Sequence, residues 1–291
     1  MRTASLSGRK KFSFPKITSL VLRWALIIVI AAVLLLPVFY LLMESVMPDE
    51  QILRPTTLLP NYLNFESYAR VFNDFAFFRY LGNTLFVAVL SIVGVIFTAS
   101  LTAYGLTKVY FKGQNVFFAL ILATVFLPGT VTSLPLYAIY ARLGWVGTLT
   151  PLWLPLWFGG GAMNIFLLRQ FMKGIPKSIS EAATIDGASS FVIYLKIILP
   201  MLKPILCYVG VTTFFGVWND FQGPLLYLGG DSRAESMWTL SLALYQKTNS
   251  RDMLENTQMA IGVLMMIPCI VLFSFFQKEL VDGIATAGLK L

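Results

Sequence analysis

A polar segment at residues 181–200 contains the residues of this chain whose types and spacing most clearly indicate a chemical task. It interrupts an otherwise apolar sequence, within a stretch from 169 to 203 that is longer than the few residues that usually join two membrane helices. Ser178 and Glu181 have the S-x-x-E spacing of a capping box, which predicts a helix that begins near Pro176 or Ser178. The task that such a helix can perform is noncovalent docking of a partner outside the membrane.

A turn and a second helix are predicted to follow. Asp186 and Gly187 supply the turn, because glycine tolerates a positive φ and aspartate can cap the next helix. That helix is expected from Ala188 to about Ile198, and Pro200 marks the entry to the next apolar stretch. The segment should therefore form a helix–turn–helix elbow that lies along the membrane surface.

The first of these two helices offers a surface to a partner. Ala182 and Ala183 carry so little bulk that a partner backbone can approach closely, while Ile179 and Ile185 provide apolar anchors. A capping box and an Asp-Gly pair are each common in proteins. An amphipathic helix that only rests on the membrane is therefore the alternative interpretation.

Histidine and the motifs that most often carry covalent chemistry are missing. The chain contains no histidine, no Gly-Lys-Ser/Thr sequence of a phosphate-binding loop, and no acidic residue within its long uncharged runs. We therefore expect a non-catalytic protein with no cofactor or metal site of its own, and an ion-coupled carrier is disfavoured. The net charge of +8 does not indicate nucleic-acid binding, because no basic patch is interleaved with stacking aromatic residues.

The composition indicates a membrane protein. Hydrophobic residues make up 57% of the 291 residues and charged residues only 12%, about half the share that is usual in soluble domains. A helix needs about 20 apolar residues to cross the hydrocarbon layer. Six uncharged runs meet or approach that length, at residues 24–43, 80–107, 113–141, 143–168, 204–219 and 256–277. The sequence thus predicts an all-α, polytopic membrane protein with six transmembrane helices.

Lysine and arginine are distributed unevenly between the segments that join these helices. With the N-terminus inside, 15 basic residues lie in inner segments and seven in outer ones. Because cytoplasmic loops carry the excess of positive charge, both termini and the elbow are predicted to be cytoplasmic. Residues 1–21 then form a cytoplasmic N-terminal segment whose basic cluster can attach to anionic lipid, and residues 22–291 form one six-helix domain.

The order of residues in the elbow resembles a known signature. Glu181-Ala182-Ala183, Gly187 after three further residues, and Leu199-Pro200 near the end match the EAA motif of permease subunits of ATP-binding-cassette importers. Four other segments resemble the carbohydrate-uptake branch, of the maltose-transporter type: residues 166–171, 185–189, 218–221 and 276–290. The likeness extends from about residue 22 to the C-terminus.

The resemblance implies a fold, a location and a set of partners. The fold would be that of a type I importer permease, in the plasma or inner membrane of a prokaryote. A second, related permease would complete the pathway, a cytoplasmic ATPase dimer would bind ATP and magnesium, and an extracytoplasmic solute-binding protein would deliver the solute. The elbow, about residues 173–198, would dock on one ATPase, with Glu181 facing a basic group. The coupling residues implied are Glu181, Ala182, Ala183, Asp186, Gly187, Leu199 and Pro200.

The resemblance also implies a sugar as substrate, above all an oligosaccharide. A polyol or glycerol phosphate is an alternative solute, and a membrane scaffold that does not transport is an alternative of another class. Trp218, Asn219 and Asp220 are candidates for sugar contact, although a tryptophan at the end of a span is also a common interface anchor. The glycine run at residues 159–161 is interpreted as helix packing rather than as part of a pore.

Overall fold

The computed structural model describes residues 14–53, 57–230, 232–250 and 253–288, and these residues form helices, turns and loops but no strand. The predicted all-α class is confirmed for this part of the chain. Residues 14–21, assigned by sequence to the N-terminal segment, already belong to the first helix, and the remainder of that segment lies outside the described residues. The chain divides into two compact units.

The first unit comprises residues up to Tyr68 together with Leu254–Val263. It contains α1 (Phe14–Ser45), α2 (Asp49–Leu53), the start of α3 (Glu66–Asn73) and the start of α15 (Glu255–Gly288).

Buried polar contacts hold the end of α1 in the first unit. Asn256 donates from Nδ2 to the carbonyl oxygen of Met47 at 2.9 Å and to Oδ1 of Asp49 at 2.7 Å. The Ser67 hydroxyl donates to the carbonyl oxygen of Ser45 at 2.5 Å. The contact to Ser45 satisfies a carbonyl group that the end of a helix leaves without an intrahelical partner, and the contacts of Asn256 hold the residues that follow α1.

The second unit is built around α4 (Phe77–Gly105) and comprises Ala69–Met253 and the rest of α15. Helices α8 and α12 pack along α4. The other helices of this unit are α5 (Gln114–Ala123), α6 (Gly129–Arg142), α7 (Thr150–Trp153), α8 (Ala162–Lys173), α9 (Lys177–Ile185), α10 (Ser190–Ile193), α11 (Leu199–Met201), α12 (Lys203–Trp218), α13 (Gln222–Leu228) and α14 (Leu240–Asn249).

Within the residues that the structure describes, four segments are long and apolar enough to cross a membrane, and the number rises to six if each of two bent helix pairs is one span. The continuous spans are Thr18–Ser45, Phe77–Gly105, Thr150–Lys173 and Glu255–Leu280. The broken spans are Gln114–Phe126 with Gly129–Arg142, bent by 98°, and Ser190–Met201 with Lys203–Trp218, bent by 77°. Counted in this way the structure fits the predicted six helices, but bends in two of them were not predicted.

Proline explains the first of these bends. Leu127 is extended, with φ −78° and ψ 118°, and Pro128 follows it with φ −60° and ψ 130°. The proline ring disfavours helical geometry at the preceding residue, so the helix ends there and a new one begins at Gly129. The span predicted at residues 113–141 is therefore a bent helix pair and not one straight helix.

Close approach between α4 and the α7–α8 region depends on glycine. A Cβ at Gly160 would lie 2.7 Å from Cβ of Ala99 and 3.0 Å from the carbonyl oxygen of Val95. The indole of Trp157 occupies the space beside Gly94, and its Nε1 donates to the carbonyl oxygen of Leu90 at 3.0 Å. Gly160 thus packs closely on α4, as interpreted, but the glycine run itself is not helical and separates Trp157 from α8.

Candidate functional site

The helices of the elbow, predicted at about residues 173–198, occupy residues 177–201 in the structure, and the first begins as the sequence predicts but with a different cap. Helix α9 starts at Lys177, and Pro176 with φ −54° and ψ 136° is its N-cap residue. The capping box is a wrong prediction, because the helix makes no side-chain capping bond. Ser178 lies inside the first turn, two residues after the N-cap position, since proline already sets the entry geometry.

The turn of the elbow is a helix C-cap of the Schellman type. Gly187 has a φ of +81°. Its N–H donates to the carbonyl oxygen of Thr184 at 3.0 Å, and the N–H of Ala188 donates to that of Ala183 at 2.9 Å. These two bonds satisfy terminal carbonyl groups of α9 and require a residue that accepts left-handed geometry. The predicted turn at Gly187 is therefore confirmed.

The second arm of the elbow, which is the part that follows the turn at Gly187, differs from the continuous helix that the sequence predicts. Ser189, not Asp186, caps it, by accepting the N–H of Val192 at 3.4 Å. After α10, residues Tyr194–Ile198 form a π-helix, in which the N–H of Leu199 donates to the carbonyl oxygen of Tyr194.

Pro200 gives a physical reason for the π-helix. A proline has no N–H for the carbonyl group four residues earlier, and its ring crowds that group. A wider register displaces that carbonyl group and preserves the remaining backbone bonds. The predicted helix from Ala188 thus begins later, at Ser190, and changes register midway.

The inner face of the elbow belongs to the core of the second unit. Ala183, Ile193, Tyr194 and Ile198 are buried in one apolar cluster with side chains of α4, α8 and α12. Ala183 is only 8% exposed, so the expectation that it presents a surface to a partner is wrong. Helical geometry directs it to the opposite side from Glu181 and toward the core.

Tyrosine hydroxyls fix the second arm to α4. Tyr104 donates from its hydroxyl to the carbonyl oxygen of Ser190 at 2.9 Å. The hydroxyls of Tyr194 and Ser100 are 2.8 Å apart, and the rings of Tyr104 and Tyr194 lie 5.3 Å apart between centroids. Each buried hydrogen bond of this kind contributes about 1 kcal/mol. The elbow is thus attached to the longest buried helix of the unit.

A lysine fixes the start of the first arm. The ammonium group of Lys108 donates to the carbonyl oxygen of Ile175 at 2.7 Å. Burial lowers the pKa of Lys108, and the nearby charge of Lys177 lowers it further. The side chain thus bridges the chain after α4 and the chain before α9.

Arg169 joins α8 to the end of α4. Its Nε donates to the carbonyl oxygen of Leu106 at 3.1 Å and its Nη2 to Oδ1 of Asn115 at 3.3 Å. The guanidinium carbon lies 3.8 Å from the ring centroid of Phe118. A buried charge with two acceptors and an aromatic face holds α8 firmly beside α4.

The exposed side of the elbow combines acidic and apolar residues. We call Glu181, Ala182, Ile185, Asp186 and Phe191 the docking face. All five are exposed, and Ile185 and Phe191 are exposed by 86% and 57%. Glu181 and Ile185 are four residues apart and therefore lie on the same side of α9. Exposed carboxylates and large apolar side chains on the same elbow suit a protein surface that carries a basic group.

The last two residues of the EAA motif differ in burial. Leu199 is half-buried against the core cluster, and Pro200 is exposed at the end of the π-helix. Within the residues that the structure describes, no group of three or more histidine, cysteine, aspartate or glutamate residues is placed to hold a metal ion.

The candidate sugar contacts lie at the other end of α12. Trp218 is 3% exposed and stacks on Phe214, with the rings 5.3 Å apart. Asn219 is exposed and donates to the carbonyl oxygen of Phe215 at 2.9 Å. The ring of Trp218 therefore packs inside the unit instead of facing solvent. Sugar contact by Trp218 and Asn219 stays a prediction.

Asp220 is the third of these candidates and is half-buried. Its Oδ1 accepts the N–H of Gly223 at 3.0 Å, and its carbonyl oxygen accepts the hydroxyl of Ser241 at 2.8 Å. Burial raises the pKa of the Asp220 carboxyl, and backbone hydrogen bonds from Gly223 and Gln222 oppose that shift. These contacts give Asp220 a structural role, and its contact with a sugar also stays a prediction.

Comparison with known proteins shows which family this chain matches. Residues 96–285 match the family described as the binding-protein-dependent transport system inner membrane component. The chain is 31% identical over 264 residues to the arabinooligosaccharides transport system permease protein AraQ of Bacillus subtilis, covering 88% of this chain and 90% of that protein. It is 29% identical over 265 residues to the trehalose/maltose transport system permease protein MalG of Thermococcus litoralis, covering 90% and 94%.

The fold is also similar to a solved structure. A chain in the crystal structure of a bacterial ABC transporter involved in the import of the acidic polysaccharide alginate superposes with a TM-score of 0.78 at 24% identity. The match covers 92% of this chain and 98% of that one. The predicted importer permease fold is confirmed.

Proposed function

Since the chain belongs to the family of binding-protein-dependent transport system inner membrane components, we propose that it is the permease subunit of an ATP-driven importer of oligosaccharides. It forms half of the translocation pathway and couples that pathway to ATPase subunits in the cytoplasm. The chain itself binds no nucleotide. ATP and magnesium are bound by the partner ATPases.

The observation that carries this proposal is the division of the elbow into two faces. Its outer side exposes Glu181, Ile185 and Phe191, while its inner side shares a core with the spans. An exposed phenylalanine and isoleucine cost solvation free energy unless a partner covers them, at about 25 cal/mol per Å² of apolar surface. Docking on an ATPase would remove that cost and provide a cation for Glu181.

Coupling follows from the way the elbow is attached. When the ATPases close and move the docking face, the hydrogen bonds from Tyr104 to Ser190 and between Ser100 and Tyr194 transmit the displacement to α4. Because packed interiors deform little, the elbow and its helices move together as a lever. The pathway then opens to the other side of the membrane.

The proposed substrate class rests on the relatives. AraQ is named for arabinooligosaccharides and MalG for trehalose and maltose. An oligosaccharide is therefore the proposed cargo of this chain, delivered by an extracytoplasmic solute-binding protein. The outer segments hold short helices, among them α13 and α14, on which such a protein can rest.

A second permease is the proposed partner within the membrane. The most apolar 18 residues of the α1 span include no buried residue, so lipid or another membrane chain must cover them. A single permease would also leave one side of the pathway exposed to lipid. We therefore propose a pair of related permeases, of which this chain is one.

The orientation gives a direct prediction. Both termini and the elbow are proposed to be cytoplasmic, from the distribution of 15 inner and seven outer basic residues. After replacement of Cys207 and Cys269 by alanine, a cysteine at position 178 should resist a membrane-impermeant thiol reagent on intact cells. A cysteine at position 232 should react. Labelling at position 178 but not at 232 would overturn the orientation.

The function itself is tested by reconstitution. The purified chain alone should neither hydrolyse ATP nor take up sugar, whereas the chain co-expressed with its ATPase, second permease and binding protein should show ATP hydrolysis that rises with oligosaccharide. A polyol or glycerol phosphate tested in parallel separates the solute classes. A complex that retains the ATPase but never responds to any solute would favour the scaffold alternative.

A further inference from the structure

A groove of about 560 Å³ lies between α4, α12 and α15 of the second unit. Its walls are apolar and include Ile96 from α4, Leu206 and Phe214 from α12, and Phe276 from α15. The volume lies within the range of small-molecule pockets, about 300–1,000 Å³. Neither the docking face nor the candidate sugar contacts form part of it.

Among the residues given for its lining, Lys203 is the one charged residue; it stands at the elbow end of α12, where its aliphatic stem contributes to the wall and its ammonium group can extend toward the lipid headgroups. Lys203 is exposed and has no ion-pair partner among the residues that the structure describes. Pro200, the last residue of the EAA signature, lies beside it in the same lining. The groove thus has a cationic end next to the elbow and an apolar remainder.

The length of the groove matches one leaflet of a bilayer. Lys203 and Phe214 are eleven residues apart on one helix, which corresponds to about 16 Å along the helix axis at 1.5 Å per residue. Half of a hydrocarbon core of about 30 Å is about 15 Å. A cation at the headgroup level with an apolar wall of this length has the dimensions of a phospholipid, with its phosphate at one end and one acyl chain along the wall.

We propose that this groove is a binding site for an anionic phospholipid, whose phosphate contacts Lys203 and whose acyl chain lies against α12. The inference rests on the proposed function for the cytoplasmic position of Lys203. A membrane helix of a partner subunit would need both an apolar ridge and a carboxylate at the level of Lys203. A lipid of the cytoplasmic leaflet brings the negative charge at that depth by default, so the lipid is favoured.

The site has a consequence for the elbow. Leu199 and Pro200 belong to the elbow and also line the groove, next to the 77° bend between α11 and α12. A lipid bound there contacts both sides of that bend. Anionic lipid would therefore stabilise the geometry through which the elbow is joined to the fifth span.

Photo-crosslinking to lipid tests this proposal. The assembled complex in nanodiscs should be supplied with equal amounts of phosphatidylglycerol or phosphatidylcholine that carries a photoactivatable diazirine in the acyl chain. Peptides that cover residues 199–214 should capture the anionic lipid about fivefold more often, the ratio that corresponds to about 1 kcal/mol for one lysine at an anionic surface. Lys203→Gln should bring the ratio close to one.

Two further variants distinguish lipid bound in the groove from anionic lipid that is attracted to any nearby positive charge. Lys196→Gln removes the same charge from the neighbouring π-helix, outside the groove lining, and should keep the preference. Cys207→Trp fills the middle of the groove and should suppress capture of both lipids. Equal capture of the two lipids by the unaltered chain, or a preference that persists in Lys203→Gln, would overturn the proposal.

A partner helix in the groove is a separate outcome of the same experiment. In that case neither lipid would reach residues 199–214. A photoreactive maleimide on Cys207, in a chain with Cys269 replaced, would capture another subunit. This pair of results would also refute the lipid site. The readout is lipid capture, not uptake. Loss of the proposed transport function and loss of the lipid site can therefore be told apart.

Discussion

A valine at position 160 is expected to prevent the second unit from reaching its native packing. Gly160 has a φ of +67°, and its added Cβ would lie 2.7 Å from Cβ of Ala99, 3.0 Å from the oxygen of Val95 and 3.1 Å from the nitrogen of Ala99. Two of these three atoms are backbone atoms, which cannot rotate away. Left-handed geometry costs about 1–2 kcal/mol and overpacking about 1–3 kcal/mol more. The sum is a large part of the 5–15 kcal/mol that stabilises a typical protein.

The measurement is the yield and thermal unfolding midpoint of the detergent-solubilised chain. Gly147→Val is a matched control, because Gly147 has a φ of +85° but open space around its Cβ position. Gly147→Val should lose only the stability that corresponds to left-handed geometry, without the overpacking cost. Gly216→Ala, at a helical glycine with nothing within 4 Å, should be close to neutral. A Gly160→Val chain with the yield and midpoint of the parent would refute the close approach of α4 and α8.

The number of spans could be predicted from composition, but their shape could not. Uncharged runs of sufficient length follow from the cost of charge in a bilayer, and that rule acts on each segment alone. To predict a bend, one must know where the backbone groups that it frees find hydrogen-bond partners. Pro135 lies within α6 without ending it, whereas Pro128 separates α6 from the preceding helix. The sequence does not distinguish these two prolines.

The elbow could be predicted where one residue decides the backbone. Proline at position 176 and glycine at 187 set the start and the turn through their own φ angles. The caps were predicted wrongly because Ser178, Asp186 and Ser189 are all suitable residue types, and their use depends on where the helix begins. The π-helix before Pro200 depends in turn on the whole second arm.

The attachment of the elbow to α4 was missed, although the sequence carries a sign of it. Ser100 and Tyr104 are polar residues four positions apart inside an apolar run, which places them on one side of a helix. Polar groups on one face of a membrane helix usually find a partner there. The identity of that partner, the second arm near Tyr194, required the tertiary structure.

Glu181→Lys and Gly187→Val are expected to abolish solute-stimulated ATP hydrolysis while the chain still inserts and pairs with its second permease. Glu181 is exposed on the docking face, so reversal of its charge leaves the core intact and repels the basic group proposed on the ATPase. Gly187 has a φ of +81° and open space around it, so a valine strains only the turn. Left-handed geometry then costs about 1–2 kcal/mol, and more for a β-branched residue. Relief of that strain would displace Ile185 and Asp186 from their docking positions.

Matched variants make this coupling prediction specific. Gly187→Asn should retain activity, because asparagine tolerates left-handed geometry and can serve at the same cap position. Lys177→Gln removes a charge from the first residue of α9, outside the docking face, and should be mild. Retention of the ATPase on the affinity-purified permease pair and sugar-stimulated phosphate release are the two readouts. Normal values of both in Glu181→Lys and Gly187→Val would contradict the lever, since a strained turn or a reversed charge on the docking face cannot leave a coupling contact unchanged.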